Sequence, residues 1–297
     1  MSIILNTNEL GYLPFIDTPV DNFIIGLKSF SVNHKYCLSV KELTNVINIL
    51  KNKNKTISLS VNIFASENEM KKFKKIFNKL KDLEIESYIV SDLGILNIFK
   101  ENNLEHKVVL DLQTYVTNKY SAKSLLNLGV KRICVSKEIT LEDIKDISVY
   151  NEGKIEILAQ GYYPITYSKR PILSCYYKNF NQEKKSNHHY IKEENRKNYY
   201  TLLETSNNLS VYNDKQYSVF PYLDELLKSG IKNFRLDTNF LNEIEIKEYI
   251  TYYDKAINLI LNNKLNEYNS LKEEFVNKYV FDTPFMHNSS FLLKEGN

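Results

Sequence analysis

The chain has 297 residues, 43% of them apolar and 25% charged, close to the average soluble globular protein and too apolar for a disordered one. A chain of this length buries roughly three quarters of the surface its unfolded form exposes, so one large core needs neither disulfides nor a structural metal. The formal charge of +3, from 39 cations and 36 anions, excludes a general nucleic-acid binder and confines any basic surface to a local patch.

The opening segment MSIILNTNELGYLPF has no basic start, no long apolar stretch and no small-residue cleavage site, and no later run approaches 18 apolar residues. Cys37, Cys134 and Cys175 are widely spaced and form no C-x-x-C pair, which offers neither a disulfide framework nor a zinc ribbon. The expectation is a reduced, cytoplasmic protein without membrane contact.

In chain order, the apolar pattern predicts a strand near Phe23 to Leu27 and a helix from Ser39 with Glu42 in capping-box position. A strand over TISLSVNIF (56–64) follows, then a helix from Ser66 with Glu69 three residues on. Three further stretches share one plan: LKDLEIESYIVSD (80–92), LLNLGVKRICVSKE (125–138) and LLKSGIKNFRLDT (226–238). Each is a helix end, a polar break and a short apolar strand ending in polar residues, the αβ half of a βα unit in a sheet buried on both faces. Strands near Val108 to Leu112 and Ile155 to Ala159, and helices at about Lys119 to Leu128 and Leu141 to Ile147, fill the intervals. The last long helix, about Leu241 to Asn262, carries an Ile and Tyr stripe from Ile244 to Ile260 that suits core packing.

About seven parallel strands with intervening helices make an α/β protein. No G-x-G-x-x-G follows the first strand, which favours a TIM-like (β/α) barrel over an open doubly wound sheet. The expected layout is a single barrel domain over residues 1–297. Its functional face would be the C-terminal rim of the strands, where Asn62, Asp92, Asp111, Gln113, Lys137, Glu138, Gln160, Arg235 and Asp237 gather.

The βα rhythm breaks between about 162 and 217, which reads as an inserted loop and hairpin region standing on the rim, where long loops are usually functional. Its first part, QGYYPITYSKRPILSCYYKNF (160–180), holds five tyrosines, two prolines and the cations Lys169, Arg170 and Lys178. That mixture suits neither a buried strand nor a regular helix, whereas tyrosines beside cations suit base stacking and phosphate contact. A tyrosine-rich hairpin packed on the barrel mouth explains the same residues. Adjacent His188 and His189 point to opposite faces of an extended strand and do not readily share a metal. Only four arginines, Arg132, Arg170, Arg196 and Arg235, stand in a lysine-rich chain, so a retained guanidinium marks a place that needs its planar fork. Asp111, Glu138 and Asp237 are candidates for acid-base work, Glu138 and Asp237 being the catalytic candidates. Buried partners for Arg132 and Arg235 are the alternative use of such carboxylates. No G-x-S-x-G, H-E-x-x-H or catalytic-cysteine context is present.

The stretch 160–180 resembles the signature H-G-x-x-C-x-x-Y-S-G-R-C-x-L-S of the collagenase-like U-thirty-two peptidase family, with Gly161, Tyr167, Ser168, Arg170, Leu173 and Ser174 matching. Thr117, Asn118, Gly129, Arg132, Ser136, Lys137 and Glu138 fall on a second run of the family pattern, and LDELLKSGIKNFRLDT is similar to a third. The signature's two cysteines are Pro164 and Pro171 here, and its histidine is Gln160. In family members with all their cysteines, thiolates hold an iron-sulfur cluster, usually through four ligands. Three scattered cysteines cannot assemble one, so no cofactor is bound through cysteine and no metal is expected.

The family name implies proteolysis, while other branches act in RNA hydroxylation, including prephenate-dependent 5-hydroxylation of the tRNA wobble uridine by paired subunits. The short, cysteine-poor chain and its tail FDTPFMHNSSFL look most like the smaller subunit type of that tRNA branch. The resemblance thus implies a role in tRNA modification beside a longer, cluster-bearing homologue, with tRNA as partner and prephenate as co-substrate. Arg132, Arg170 and Arg235 would bind an anionic group, Tyr162, Tyr163 and Tyr167 a base, and Asn118 and Lys137 would join the substrate site. The alternatives are a collagenase-like peptidase and a non-catalytic scaffold.

Overall fold

A strand that is apolar on both sides needs cover on both faces, and this chain supplies it by closing its sheet on itself. The computed structural model describes residues 1–284 except 114, 152, 185, 187, 193 and 195–197; the tail from 285 onward therefore lies outside the described residues. The first strands are β1 (Ser2–Asn6), β2 (Asn22–Leu27), β3 (Cys37–Leu38), β4 (Thr56–Val61), β5 (Ser87–Val90), β6 (Val108–Leu110), β7 (Arg132–Cys134) and β8 (Ile155–Gly161). After them come β9 (Pro164–Ser168), β10 (His188–Lys192), β11 (Tyr199–Glu204), β12 (Leu209–Tyr212), β13 (Gln216–Ser218), β14 (Asn233–Asp237) and β15 (Phe281–Asp282). Strands pair in the order β14-β1-β2-β4-β5-β6-β7-β8, and β8 pairs with β14, so eight parallel strands form a closed TIM-like barrel. The short β3 adds to β2, and β13 runs antiparallel on the end of β8.

One strand beyond the expected seven closes the ring. The run SIILN was not recognised as a strand from sequence, because five residues at a chain end carry too little periodicity to separate strand from coil. As β1 it sits between β14 and β2, with Ile4 opposite Arg235. The helices are α1 (Val40–Lys51), α2 (Glu67–Leu80), α3 (Leu93–Glu101), α4 (Lys119–Leu126), α5 (Leu141–Val149), α6 (Ile172–Asn179), α7 (Leu223–Lys228), α8 (Glu243–Leu261) and α9 (Leu265–Lys278). Both capping boxes form: the Glu42 carboxylate accepts from the Ser39 amide at 2.7 Å and that of Glu69 from the Ser66 amide at 2.6 Å. Outward residues of the barrel pack against the inner faces of the helices, as where Phe73, Phe77 and Phe99 converge with Tyr88. Among the described residues no helix is long and apolar enough to cross a membrane.

The rhythm-breaking segment is more regular than its composition suggests. Strands β9 to β12 make a four-stranded antiparallel sheet in the order β10-β11-β12-β9, and 172–179 is helical. The stretch 160–180 therefore does contain a strand and a helix. Its prolines are tolerated because Pro164 opens an edge strand and Pro171 immediately precedes α6, positions where no ladder or helix donor is lost. Helix α6 is fastened to the sheet by Glu204, which is 2% exposed. Its carboxylate accepts from the amides of Leu173 and Ser174 at 2.8 and 3.2 Å, from the Ser174 hydroxyl, and from Lys184 Nζ at 2.7 Å. The small sheet is tied to the barrel mouth through Asn208 with Asn33, Asn207 with the Ser31 carbonyl, and Lys169 with the Phe64 carbonyl and Glu69.

Charge-assisted hydrogen bonds of this kind contribute about 1.5–3 kcal/mol each. Glu204→Ala is expected to open α6 locally, speeding tryptic cleavage after Lys169, Lys178 and Lys184 by roughly tenfold or more while the barrel's thermal midpoint moves little. Equal cleavage rates in variant and wild type would deny Glu204 this role.

Candidate functional site

Inside a barrel every second strand residue points to the axis. The lower interior is a small apolar plug of Ile4, Ile24, Ile89, Val109 and Cys134, separate from the outer core. On the β7, β8 and β14 side the same level carries charge instead. Arg235 reaches from β14 across to three neighbours: Nε donates to Glu156 Oε1 at 2.8 Å, Nη1 to Asp111 Oδ2 at 2.6 Å and Nη2 to Cys134 Sγ at 2.9 Å. Arg132 Nε donates to the other oxygen of Glu156 at 3.1 Å. Lys137 Nζ lies 3.9 Å from Asp111 Oδ1. The chain Arg132, Glu156, Arg235, Asp111, Lys137 thus alternates in sign from the barrel wall to its mouth.

Burial works against the Glu156 carboxylate, yet the charges of Arg235 and Arg132 and their hydrogen bonds outweigh it and hold its pKa below the usual value. Asp111 behaves alike: burial is offset by Lys137, Arg235 and the Gln113 amide, and its pKa falls well below the carboxylate range. Asp237, one level higher, goes the other way. Its oxygens accept from Asn6 Nδ2 at 2.9 Å, Asn8 Nδ2 at 2.8 Å and the Asn239 amide at 2.9 Å. Burial dominates over these neutral donors and the more distant cations, so its pKa is raised. Two carboxyls with pKa values pushed apart are the arrangement that separates a permanent anion from a proton-transfer group.

Above the ion chain lies a cavity of about 60 Å³ lined by Asn6, His34, Lys137, Tyr162, Asp237 and Asn239, among others, with room for about two waters at roughly 30 Å³ each. Three polar atoms on its lining residues, Asn6 Oδ1, His34 Nδ1 and Asn239 Oδ1, are buried with no protein partner. Left-handed backbone occurs here at non-glycine residues: Asn33 (φ 62°) and Gln113 (φ 58°) line the cavity, and Phe240 (φ 63°) packs edge-on to Tyr162 and Tyr212. Such conformations are costly and concentrate at functional sites. Gly161 has φ 128°, and a Cβ there would stand 2.7 Å from the Asp237 carbonyl oxygen, so only glycine lets β8 pass this close.

Of the residues singled out from sequence, Arg235, Lys137, Tyr162, Tyr163 and Asp237 meet at this cavity. Arg132 belongs to the ion chain beneath it. Both arginines have buried carboxylate partners: Arg132 pairs with Glu156, and Arg235 with Glu156 and Asp111. Glu138 is exposed on the rim. Asn118 is exposed and caps α4, accepting from the amides of Tyr120 and Ser121. Tyr167 packs against Phe64 on the insertion, and Arg170 is exposed there; neither lines the cavity. His188 reaches Glu9 and His189 packs at a tilt against Tyr177, on opposite faces of β10. Cys37 is half-buried on β3, Cys134 buried on β7 and Cys175 exposed on α6, and among the described residues no His, Cys, Asp and Glu group is arranged to hold a metal.

Sequence reasoning missed Glu156, Asn6, His34 and Asn239. Glu156 was legible as the one charge inside the apolar run IEILA, and Asn6 was lost with the unrecognised β1.

The ion chain yields two predictions. Removing the shared anion leaves two guanidiniums poorly compensated, so Glu156→Gln is expected to cost about 3–5 kcal/mol in urea unfolding; a loss below about 1 kcal/mol would show that the pairing is not needed. His34 is pushed down to about 3 by burial and by the Arg235 charge, whereas an unfolded histidine protonates near pH 6.5. The unfolded chain therefore binds more protons between those values, and stability falls as the pH drops through that window. Asp111 and Glu156, being depressed acids, add a loss of the same sign only below about pH 4. Between pH 7.5 and 4.5 the His34 contribution is about 2.5 kcal/mol, and His34→Gln is expected to flatten the pH dependence of stability there. An unaltered slope would assign it elsewhere, with His188, also lowered by burial, first in line.

Residues 12–294 match Peptidase family U32. The tRNA hydroxylation protein P2 of Bacillus subtilis (strain 168) is 21% identical over 282 residues, covering 93% of this chain and 91% of that protein. A 23S rRNA 5-hydroxycytidine synthase of Escherichia coli (strain K12) is 20% identical over 250 residues, covering 82% of this chain and 37% of that protein. A solved U32 peptidase aligns with TM-score 0.49 and 13% identity, over 80% of this chain and 92% of that one. The family match extends over nearly the whole chain, from before the barrel's second strand to beyond its last helix, and the chain belongs to Peptidase family U32.

Proposed function

We propose that this protein takes part in RNA hydroxylation, and specifically in 5-hydroxylation of the tRNA wobble uridine in the cytoplasm, beside a longer, cysteine-bearing homologue. The observation that carries the reading is the end-to-end match with a tRNA hydroxylation protein, over 93% of this chain and 91% of the relative. The site's chemistry supports it. Lys137, with no opposite charge nearer than 3.9 Å among the described residues, faces the cavity as an anchor for an anionic or oxyanionic group. Tyr162 and Tyr163 wall the cavity and offer ring faces to a base. Asp237, with its raised pKa, is the group for moving a proton. Arg170 and Tyr167 stand on the insertion as contacts to the RNA outside the cavity, with Glu138 and Asn118 flanking the mouth.

Prephenate, the co-substrate that the family resemblance implies, is a dicarboxylate that calls for a cation at each carboxylate. The two guanidiniums suited to its carboxylates are engaged by Glu156 and Asp111. The residues as they stand do not fit it. Proteolysis draws support from the family's name alone: the thiol at the cavity, Cys134, is pushed well up by burial, the reverse of what a nucleophile needs.

The test is mass spectrometry of tRNA nucleosides from cells with and without the gene. Loss of 5-hydroxyuridine and its derivatives is expected, with wild type restoring them, Lys137→Gln failing to, and Arg170→Ala restoring them only in part. A profile unchanged by deletion would sink the hydroxylation role, and full rescue by Lys137→Gln would sink the site.

A further inference from the structure

On the outer face of the barrel, away from the cavity, helices α4 and α5 enclose a groove of about 660 Å³. Its lining combines Lys119, Lys123 and Lys154 with Tyr120, Tyr150 and Asn151, and the described lining residues include no carboxylate. In a chain with nearly balanced charge, three lysines with no carboxylate among the described lining residues are a local excess. The two rings are 74% and 72% exposed, an arrangement that costs solvation without adding to the core. Lys119 Nζ sits 5.8 Å from the Tyr120 ring centroid and 5.4 Å from that of Tyr150, bridging both. Cations interleaved with accessible rings match a ligand that alternates anionic and aromatic groups.

We infer that the α4–α5 groove is a second RNA-binding surface, taking an unpaired RNA segment with its phosphates on Lys119, Lys123 and Lys154 and its bases on Tyr120 and Tyr150. The inference rests on the RNA reading of the protein and extends it to a site outside the barrel mouth. Its position suits that purpose. Helix α4 follows β6 and α5 follows β7, the strands whose ends lead to Asp111 and Lys137. Lys119, the first residue of α4, comes directly after the loop that leaves β6. A strand of RNA lying in the groove thus has one end near the mouth, and the groove fixes the polymer while the mouth, where Lys137, Tyr162 and Tyr163 stand, meets one nucleotide. A protein partner is the competing occupant, but three lysines line this one groove, and lysine is depleted where protein meets protein.

The experiment measures binding of the full chain to fluorescein-labelled oligouridine and to an unmodified tRNA transcript across a range of salt concentrations. Each phosphate neutralised on a single strand contributes about 0.7 to the slope of log affinity against log salt. The triple variant Lys119→Ser, Lys123→Ser, Lys154→Ser is expected to lower that slope by about 2. Tyr120→Ala and Tyr150→Ala keep the charges, and each should weaken oligouridine binding roughly fivefold to a hundredfold with the slope unchanged. Wild type that binds neither probe, or variants that bind both as wild type does, would overturn the inference, including where a variant loses a protein partner instead. A nucleoside profile unaltered by gene deletion, together with groove-dependent binding, would sink only the hydroxylation role. An altered profile with groove-independent binding would sink only the groove.

Discussion

One buried carboxylate organises this barrel. Glu156 is fully enclosed and touches a guanidinium on each oxygen. Taking such a group out of water costs several kcal/mol even after relaxation, and only well-placed counter-charges make it tolerable. The demand is geometric as much as energetic. Strand side chains alternate between faces, so a slip of one residue in β8 would place Glu156 among the outer apolar contacts. Because its partners stand on β7 and β14, the strands on either side of β8, the pairing specifies the register at the point where the ring closes.

From that anchor the interior grades upward from a dry plug through an ion layer to a wet mouth. The ion chain pairs two arginines and ends on Lys137, so the cavity is lined by the ion-paired Arg235 and by the more loosely paired amine of Lys137. Asp237 sits beside the chain without joining it, held by asparagines, and keeps its own protonation behaviour as a result. The mouth gives up stability for this arrangement. Three left-handed residues each cost on the order of 1–3 kcal/mol, and the rigid strands beneath absorb the cost.

Much of this was readable from sequence, for physical reasons that differ from element to element. The βα alternation and the two capping boxes are local signals, and they appear where the residues put them. Residues at strand ends reached the right rim because a parallel barrel collects those ends on one side. What sequence could not supply was the pairing among them. Arg235 looks equally suited to a ligand or to a buried partner until the strand order sets it 2.6 Å from Asp111 and 2.8 Å from Glu156. Asn118 looked like a substrate contact on its motif, although its side chain satisfies two helix amides. The unusual composition of 160–180 hid a strand and a helix, since an exposed edge tolerates prolines and tyrosines that a central strand would reject.

That last point bears on how the insertion keeps its shape. At the positions where the family signature has cysteines, this chain has Pro164 and Pro171, one opening β9 and the other preceding α6. Metal-thiolate bonds would fix such a loop covalently, whereas here a fixed proline φ at each turn and the Glu204 carboxylate under α6 do so through backbone geometry and hydrogen bonds. Those bonds run within the insertion, while the ties to the barrel pass through Asn207, Asn208 and Lys169. The insertion can therefore carry exposed tyrosines and Arg170 without disturbing the ion chain, which shares none of these contacts. Exposed and buried polar residues are separated in this fold, so side chains on the insertion's surface can change while Glu156 and its two guanidiniums stay in place.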